Sequence, residues 1–566
     1  MMRKLLSTLI VFVLLPFFAV NAQESEKKKA RRMEWFKDAK LGIFIHYGIY
    51  SVYGIDESWS FFNGYLNYED YMKQLDGFTA SKYNAEEWAQ LFKEAGARYA
   101  VLTTKHHDGV ALWDTDQDHL SVVDDSPAEK DLVKPFVKAL RENDMRVGLY
   151  FSLIDWSYPD YPGFTRTEQR YKNDTARWAK FVKFYFGQME ELSRRFDPDL
   201  YWFDGDWEHS AKEWKAKELH DMLFDYNPKV IINSRLQGYG DYATPEQGAP
   251  ITKPSNPYWE LCMTINDSWG YQRNDHNYKS PYQMLRIFAD CIAMGGNLLM
   301  DVGPKEDGTI PAEQIKVLKE FGRWTKKHAE AIYGTRAGIP QENFYGSSAL
   351  SKDKKTLYLY VNRKPNSTIN VLGLKTDVKT ARLLGTDKTL DFEQDDNVLN
   401  IKLPDSGLDP AISVIALDMK KPAEYSKPSM SFFDIEVKPL YEDARWKEKH
   451  KIAVKDFNTG IEYGHYAGPT ALSKNKDILY LFVDGKPNGP LVIKGLKNKI
   501  NRIWVVGRGN KLKETIIGKQ YWSSVPGITY IDVPDFVLDE KTTVIAVLLD
   551  GPVSLYREAG QVIESN

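Results

Sequence analysis

Cysteine is almost absent from this chain: two residues, Cys262 and Cys291, occur among 566. So few thiols exclude a disulfide framework, and a CxxC metal site is excluded as well. Lysine plus arginine number 75 and aspartate plus glutamate number 78, which leaves a formal net charge of −3. A chain so nearly neutral lacks the basic surface that nucleic acid requires, so we expect no nucleic-acid partner. Global disorder is excluded too, because 43% of the residues are hydrophobic.

The one long apolar run lies at the N-terminus and has the features of a signal peptide. A basic start precedes an apolar stretch at residues 5–20, and Val20-Asn21-Ala22 is typical of a cleavage site. The run is short for a membrane span, which needs about 20 apolar residues. No cysteine follows that could accept a lipid. We therefore expect residues 1–22 to be removed, no integral membrane segment to remain, and the mature protein to be periplasmic or secreted.

Residues 28–335 alternate short apolar runs with amphipathic stretches, which is the pattern of parallel βα units in the α/β class. The apolar runs have the continuous character of strands buried on both faces, and they lie at 41–46, 99–103, 147–151, 200–203, 230–233 and 297–302. Among the helical stretches between them, residues 85–95 follow a capping Asn84. A domain of this length favours a (β/α)8-like barrel, with a doubly wound open sheet as the alternative.

Beyond residue 335 helical periodicity gives way to alternation, and the sequence repeats itself. ALSK at 349–352 is followed by LYLYVNRKPN, and ALSK at 471–474 is followed by LYLFVDGKPN. Each copy closes with Pro-Asp and an apolar run. Two copies of an all-β unit are the simplest interpretation, so we predict one β-sandwich at 336–422 and its repeat, a second β-sandwich, at 435–560.

Polar side chains follow the predicted barrel strands at their carboxyl ends, where the loops of a barrel form one open face. The first strand leads into His46 and the second into His106 and His107. Asp204 follows the fourth strand, and Arg235 follows the fifth. Adjacent histidines in an extended chain point to opposite sides, so we expect neutral imidazoles that bond ligand hydroxyls and no metal site.

Two acidic residues are the candidates for the chemistry. Asp204 lies two residues after Trp202 and directly before a glycine, which lets a ligand approach closely. An Asp-Gly pair alone would indicate a turn, but tryptophans on both sides favour a binding site. Its partner is Glu246, in a Thr-Pro-Glu-Gln loop, or Glu260. An ionised carboxylate paired with a carboxyl group of raised pKa is what glycoside hydrolysis uses.

The barrel region resembles the α-L-fucosidases of glycoside hydrolase family 29 over nearly all of residues 33–336. The segments that carry the resemblance are EWFKDAKLGIFIHYG, TTKHHDGVALW, YWFDG, INSR, WELCMTINDSWGY and GGNLLMDVGPKEDGTIP. The resemblance implies a (β/α)8-like barrel followed by a β-sandwich, sometimes with further β domains. It also implies an enzyme that retains the anomeric configuration and uses neither a metal nor an organic cofactor.

The family's site residues carry over by motif. The nucleophile falls on Asp204 of YWFDG, and the general acid/base falls on Glu246, with Glu260 as the second choice. For retention the two carboxyl groups should lie about 5–5.5 Å apart. The contacts to fucose, with Trp202 lining the same pocket, fall on His46, Trp59, His106, His107 and Arg235. The resemblance thus implies an exo-acting enzyme that removes terminal α-L-fucose from fucosylated oligosaccharides or glycoconjugates through a fucosyl-aspartate intermediate.

The sequence departs from the family pattern at several positions. Ser58 precedes Trp59 where a Glu is frequent, and Glu57 lies one position earlier. The usual Asn of GGNxLLNxGP is Asp301. Two alternatives stay open: an α-L-galactosidase, whose sugar differs by one hydroxyl, and a catalytically inactive carbohydrate-binding protein. No feature of the sequence predicts an oligomeric state.

Overall fold

The structure is a computed structural model that describes residues 26–248, 250–366, 368–395, 397–519 and 524–558. In these ranges an α/β domain with parallel strands precedes antiparallel β-sheets. The signal peptide predicted at residues 1–22 lies outside the described residues and stays a prediction. Every helix in the described part of the chain is too short or too polar to span a membrane.

Seven parallel strands form the centre of the first domain, in the spatial order β5-β4-β3-β2-β1-β7-β6. Their bounds are β1 (Leu41–Ile45), β2 (Tyr99–Lys105), β3 (Arg146–Ser152), β4 (Leu200–Asp204), β5 (Ile231–Ile232), β6 (Glu260–Thr264) and β7 (Asn297–Val302). The helices are α1 (26–39), α2 (Trp59–Phe62), α3 (Tyr68–Met72), α4 (Ala85–Ala95), α5 (Val133–Glu142), α6 (Thr175–Phe196), α7 (Ala216–Tyr226), α8 (Pro281–Ala293) and α9 (Ala312–His328). The predicted cap of α4 is confirmed, because the Asn84 side chain accepts from two N–H groups of its first turn.

An extended stretch, which we call the closing segment (residues 242–247), joins the two outer strands. Tyr242 pairs with Asn233 just after β5, and Glu246 pairs with Cys262 in β6, both in parallel. The N–H of Gln247 donates to the Cys262 carbonyl oxygen at 3.0 Å. The seven strands and the closing segment therefore form a ring of eight, which confirms the (β/α)8-like prediction and not the open doubly wound sheet.

The alternation of side chains along β1 separates two layers of the core. Ile43 and Ile45 point outward into the main hydrophobic cluster that the surrounding helices complete, whereas Phe44 points into the barrel. The same inner cluster contains Tyr150 of β3 and Trp202 of β4. His46 follows Phe44 by two positions, so the period-2 geometry of a strand carries its side chain toward the barrel interior as well.

Two of the eight ring members are absent from the strands predicted from sequence. β6 begins with Glu260, and the closing segment contains Pro245 and Glu246. These residues interrupt the apolar pattern by which the other strands are recognised. Glu246 was expected in a loop, and the structure instead holds it in extended backbone against β6.

Each copy of the sequence repeat folds as a five-stranded antiparallel sheet packed on a three-stranded one. The first contains β8 (Arg336–Ala337), β9 (Ser347–Leu350), β10 (Thr356–Val361), β12 (Ile369–Leu372), β13 (Val378–Leu383), β14 (Phe392–Gln394), β15 (Val398–Ile401) and β16 (Ser413–Met419). The second contains β17 (Asn458–Thr459), β18 (Thr470–Leu472), β19 (Ile478–Asp484), β21 (Leu491–Lys494), β22 (Ile500–Val505), β23 (Glu514–Ile517), β24 (Ile528–Ile531) and β25 (Thr542–Leu549). The two short helices α10 (Ala444–Lys449) and α11 (Lys451–Val454) lie inside the range predicted for the second copy, before its first strand, and differ from the all-β prediction.

The two copies meet through matching strands. β11 (Arg363–Lys364) pairs antiparallel with β20 (Lys486–Pro487), and this places Lys364 opposite Lys486. These lysines occupy the same position of the repeated KPN motif. Equivalent residues that face each other across an antiparallel pair indicate that the copies are related by an approximate twofold axis.

Lys40, at the amino end of β1, is a buried lysine. Lys40 is 0% exposed, and its Nζ has no hydrogen-bond partner among the described residues. Burial, reinforced by the charge of Arg336, lowers the pKa of Lys40 to about 7 from its ordinary value of 10.5. The folded protein therefore binds fewer protons than the unfolded chain between these two pH values, and its stability rises with pH across that window.

Replacing this lysine by an apolar side chain should stabilise the protein. We expect Lys40→Met to raise the free energy of unfolding on the order of 3 kcal/mol below pH 7, and the gain should shrink as the pH approaches 10. Urea unfolding at pH 6.5 and pH 9.5 measures both values. Lys37→Met, at a half-buried position of the preceding helix, is the matched control. A gain that is independent of pH would contradict the assignment.

Candidate active site

A cavity of about 410 Å³ opens at the carboxyl ends of the barrel strands. This volume is within the range of small-molecule sites. Seven of the residues singled out from sequence line it: His46, Trp59, His106, Trp202, Asp204, Arg235 and Glu246. The structure thus brings together side chains that are up to 200 positions apart in the chain.

Arg235 lies at the centre of the cavity wall and binds both acidic candidates. Its Nη1 donates to Asp204 Oδ1 at 2.8 Å, and its Nη2 donates to Glu246 Oε2 at 2.5 Å. The side chains of Arg235, Asp204 and Glu246 are 4%, 13% and 8% exposed. Although burial opposes the charged form, the carboxylates of Glu246 and Asp204 raise the pKa of Arg235 above its ordinary value. One guanidinium therefore holds two carboxyl groups next to each other.

The second oxygen of Asp204 faces two further groups. The Tyr150 hydroxyl donates to Asp204 Oδ2 at 3.0 Å, and His107 Nε2 lies 3.7 Å from the same oxygen. The chain then turns sharply at Gly205, which has a φ of +83°, and a Cβ there would lie 2.6 Å from the Ile154 side chain. Only glycine fits this turn, so the Asp-Gly pair forms a turn and also presents a carboxylate to the cavity.

The three histidines are held through their Nδ1 atoms. His46 bonds Asp301 at 2.6 Å, His106 bonds Ser58 at 2.5 Å, and His107 bonds Ser152 at 2.6 Å. Each ring is fixed in orientation, and its Nε2 remains for a ligand or, for His107, for Asp204.

These imidazoles are neutral. Burial lowers the pKa of His46 and His107 to about 3 and the pKa of His106 well below its ordinary value. Burial also raises the pKa of Asp301, which favours its neutral, protonated form. Burial therefore disfavours the charged form of both His46 and Asp301. Neutral rings can both donate to and accept from hydroxyl groups.

Aromatic rings form the remaining walls. The Arg235 guanidinium lies 4.5 Å from the centre of the Trp202 ring, and Trp269 packs beside His46 with ring centres 5.0 Å apart. At the mouth, Trp59 and Trp207 are nearly parallel, with ring centres 6.4 Å apart. Trp207 is 38% exposed, which leaves its face open to solvent.

Glu260, the second choice for the acid/base, is bound away from the cavity. It is 0% exposed at the first position of β6, where the Tyr99 hydroxyl donates to it at 2.5 Å and Trp202 Nε1 donates at 3.0 Å. Burial raises the pKa of Glu260 to about 7. This carboxyl group supports Trp202 from below, and it does not line the space where a ligand would bind.

Several cavity residues were not assigned a role by motif. Phe44, Tyr150 and Trp269 line the cavity, and the first two occupy inward positions of β1 and β3. Phe44 could have been found from the sequence, because it precedes His46 by two positions and therefore lies on the same face of the strand. Among the departures noted in the sequence, Glu57 also lines the cavity and accepts from the Gly270 N–H at 2.6 Å. Within the described ranges, no three His, Cys, Asp or Glu side chains come together as metal ligands would.

Comparison with known proteins identifies the group to which this arrangement is similar. The sequence model of the alpha-L-fucosidase family matches residues 19–330. A putative alpha-L-fucosidase of Caenorhabditis elegans is 30% identical over 453 residues, which is 70% of this chain and 92% of that protein. The tissue alpha-L-fucosidase of Homo sapiens is 29% identical and covers 65% of this chain and 84% of its own.

Solved structures agree. Alpha-L-fucosidase isoenzyme 1 from Paenibacillus thiaminolyticus superposes with a TM-score of 0.66 at 31% identity, over 70% of this chain and all of its own. A family 29 alpha-L-fucosidase from Bacteroides thetaiotaomicron, solved as a trapped covalent intermediate, superposes with a TM-score of 0.63 at 28% identity. It covers 69% of this chain and 96% of its own.

The position of Glu260 leads to a prediction that separates it from Glu246. Glu260→Gln should keep turnover within about threefold of the wild type, because its carboxyl does not reach the cavity. Glu246→Gln, measured beside it, should lose most turnover. An equal loss in the two variants would contradict the assignment and make Glu260 a candidate for the chemistry.

The same variant has a stability signature. Because the pKa of Glu260 rises from 4.5 to about 7 on folding, the native protein binds more protons than the unfolded chain in that window and loses stability as the pH rises through it. Glutamine does not ionise. The free energy of unfolding of Glu260→Gln relative to the wild type should therefore increase between pH 5 and pH 8, by about 1–3 kcal/mol.

Proposed function

Since the chain belongs to the α-L-fucosidases of glycoside hydrolase family 29, we propose that it is an exo-acting hydrolase that removes terminal α-L-fucose from glycans with retention of configuration. The observation that carries the proposal is the pair of carboxyl groups, Asp204 and Glu246, held by the two terminal nitrogens of Arg235 at one cavity. Paired carboxyl groups at close range are what double displacement at a sugar carbon requires.

In the first step Asp204 is the nucleophile. A carboxylate oxygen of Asp204 forms a bond to the anomeric carbon while the glycosidic C–O bond breaks. The proton on Glu246 passes to the departing oxygen, so the leaving alcohol is neutral. The Arg235 and Tyr150 contacts, one to each oxygen of Asp204, orient the attacking carboxylate, and each oxygen keeps a second lone pair with which it can attack. The product is a fucosyl-aspartate ester.

In the second step Glu246, now ionised, takes a proton from water, and the water oxygen attacks the anomeric carbon. The ester bond to Asp204 breaks, its electron pair returns to the carboxylate, and fucose leaves with its original configuration. The trapped covalent intermediate of the Bacteroides thetaiotaomicron relative supports a two-step route.

The walls of the cavity fit fucose. His46 and His106 line the cavity, and as neutral rings each can donate to or accept from a ring hydroxyl through Nε2, which supports their proposed role. Phe44 and Trp269 pack beside His46 and form an apolar surface suited to the C5 methyl group. The hydroxymethyl of α-L-galactose would lose hydrogen bonds against such a surface, at a cost of about 1–3 kcal/mol. We therefore prefer fucosidase to galactosidase activity.

Removing the nucleophile tests the mechanism. Asp204→Ala should lower kcat for 4-nitrophenyl α-L-fucoside by on the order of 10³-fold or more. Added azide should restore turnover and yield β-fucosyl azide, because the small anion enters the space of the missing carboxylate and attacks the same face. NMR of the first-formed product reads the configuration, and 4-nitrophenyl α-L-galactoside serves as the competing substrate.

Asp267→Ala is the matched control, since Asp267 lines the outer cavity and is exposed. It should retain activity close to that of the wild type. Near-normal turnover by Asp204→Ala would overturn the nucleophile assignment, and an inverted product from the wild type would overturn the retaining mechanism.

We also propose that the protein is exported and cleaved near Ala22, as its leader predicts. Protein recovered from its native host should begin close to Gln23 and fractionate with periplasmic or secreted proteins. N-terminal sequencing checks this, and a mature chain that keeps Met1 would contradict it.

A further inference from the structure

Glu246 is followed at once by a strained turn. The N–H of Gly248 donates to the Glu246 carbonyl at 2.6 Å, which closes a three-residue turn around Gln247. Gln247 has a φ of +57°, a conformation that non-glycine residues avoid. Such a conformation costs on the order of 1–3 kcal/mol and persists only where neighbouring structure holds it. The placement of the proposed acid/base therefore depends on what packs against this turn.

Toward the barrel, the turn is held by β6. The Gln247 N–H donates to the Cys262 carbonyl at 3.0 Å, and Gln247 Nε2 donates to Thr264 Oγ1 at 3.1 Å. Gln247 is 2% exposed, so both faces of the turn are covered. The other cover comes from a different domain.

The second β domain supplies that cover. Gly518 has a φ of +75°, and a Cβ there would lie 2.7 Å from the carbonyl oxygen of Gln247. From the opposite side, a Cβ at Gly248 would lie 2.5 Å from Val525 Cγ1. Gly518 is thus required for the two backbones to approach this closely, and Gly248, on the other side of the interface, leaves room for the Val525 side chain.

This contact belongs to a broad docking surface. Ile251, which follows the turn, forms a buried cluster with Val525 and Tyr556 of the second β domain. Ile517 and Tyr530 of that domain belong to the main barrel core. Such continuous packing fixes the second domain relative to the barrel. Because buried interfaces are close-packed, a small shift of side chains on one side displaces the residues they contact on the other.

A buried ion pair adds to the docking. Lys494 Nζ of β21 lies 3.1 Å from Asp290 Oδ2 of α8, with side chains 9% and 14% exposed. Separating the domains would leave both charges without this partner, which is costly for buried groups. The second β domain is therefore in position to support the turn.

We propose that the second β domain positions the general acid/base, with Gly518 and Val525 as positioning residues that fix the turn after Glu246. The inference rests on the proposed role of Glu246. It makes the second copy of the repeat a part of the catalytic unit. Neither residue lines the cavity, so their effect reaches the sugar only through Glu246.

The experiment compares leaving groups. A misplaced acid slows cleavage of poor leaving groups, which need the proton, and spares good ones. We expect Gly518→Ala to lower kcat/KM for phenyl α-L-fucoside by about tenfold, and kcat/KM for 2-chloro-4-nitrophenyl α-L-fucoside by less than about twofold. Val525→Ala, which removes contact without introducing a clash, should show the same split in smaller degree.

Gly509→Ala is the matched control. Gly509 lies in the same domain with a φ of +77°, and nothing lies within 4 Å of a Cβ built on it. Gly509→Ala places an alanine at a positive φ, as Gly518→Ala does, but makes no contact with Gln247. Its ratio of kcat/KM for the phenyl fucoside to kcat/KM for the 2-chloro-4-nitrophenyl fucoside should therefore equal that of the wild type. Thermal unfolding shows whether each variant is folded, and Val525→Ala decides the question if Gly518→Ala does not fold.

Glu246→Ala separates the two proposals. If the loss of kcat/KM in Glu246→Ala is the same for the poor and the good leaving group, the acid/base assignment itself fails. If Glu246→Ala shows the dependence but the folded Gly518 and Val525 variants lose activity equally on both substrates, or lose none, the positioning inference is overturned and the proposed function stands.

Discussion

The Arg235 guanidinium is the constraint on which the site depends. It is a buried cation, and burial of a charge is tolerated only when partners compensate for the lost water. Asp204 and Glu246 provide that compensation through two adjacent nitrogens. The reverse also holds, because whenever both carboxyl groups are ionised they would repel each other without the cation. The three groups are therefore stable only together, and their mutual distance is set by the rigid guanidinium plane.

This triad lies where the barrel is least regular. β5 has two residues, and the ring is completed by the closing segment and not by a regular strand. Arg235 follows β5, and Glu246 lies in the closing segment. These two candidate site residues therefore lie where the ring has the fewest regular strand pairs. A regular apolar strand at this place would bring no carboxyl group to the cavity. The irregularity and the acidic lining of the cavity have one cause: polar residues replace apolar ones at this part of the ring.

That cause also sets how much the sequence could predict. The regular strands were predictable because their residues are buried on both faces, and Asp204 and the histidines were predictable because they follow such strands. β6 and the closing segment escaped because Glu260 and Pro245 break the apolar pattern. The contacts that orient the histidines could not be predicted from the sequence. Asp301, for example, lies 255 positions from His46, and no local pattern links the two residues. Yet Ser58 and Asp301, noted as departures from the family pattern, are the residues that bond His106 and His46. Two departures read from sequence therefore fall on residues that support site histidines in this structure.

Duplication of the β unit explains how a distant domain reaches the site. The pairing of β11 with β20 fixes the second copy by an approximate twofold relation to the first, which itself follows directly from the barrel. The second copy consequently lies beside the barrel, and its β23–β24 edge meets the turn after Glu246. Both copies keep the KPN motif, and its lysines face each other where the copies pair. A side chain at Gly518 of the second copy would press on the Gln247 carbonyl, and a side chain at Gly248 of the barrel would press on Val525. Under the proposed positioning role, either substitution would push the turn, and with it Glu246, away from Arg235.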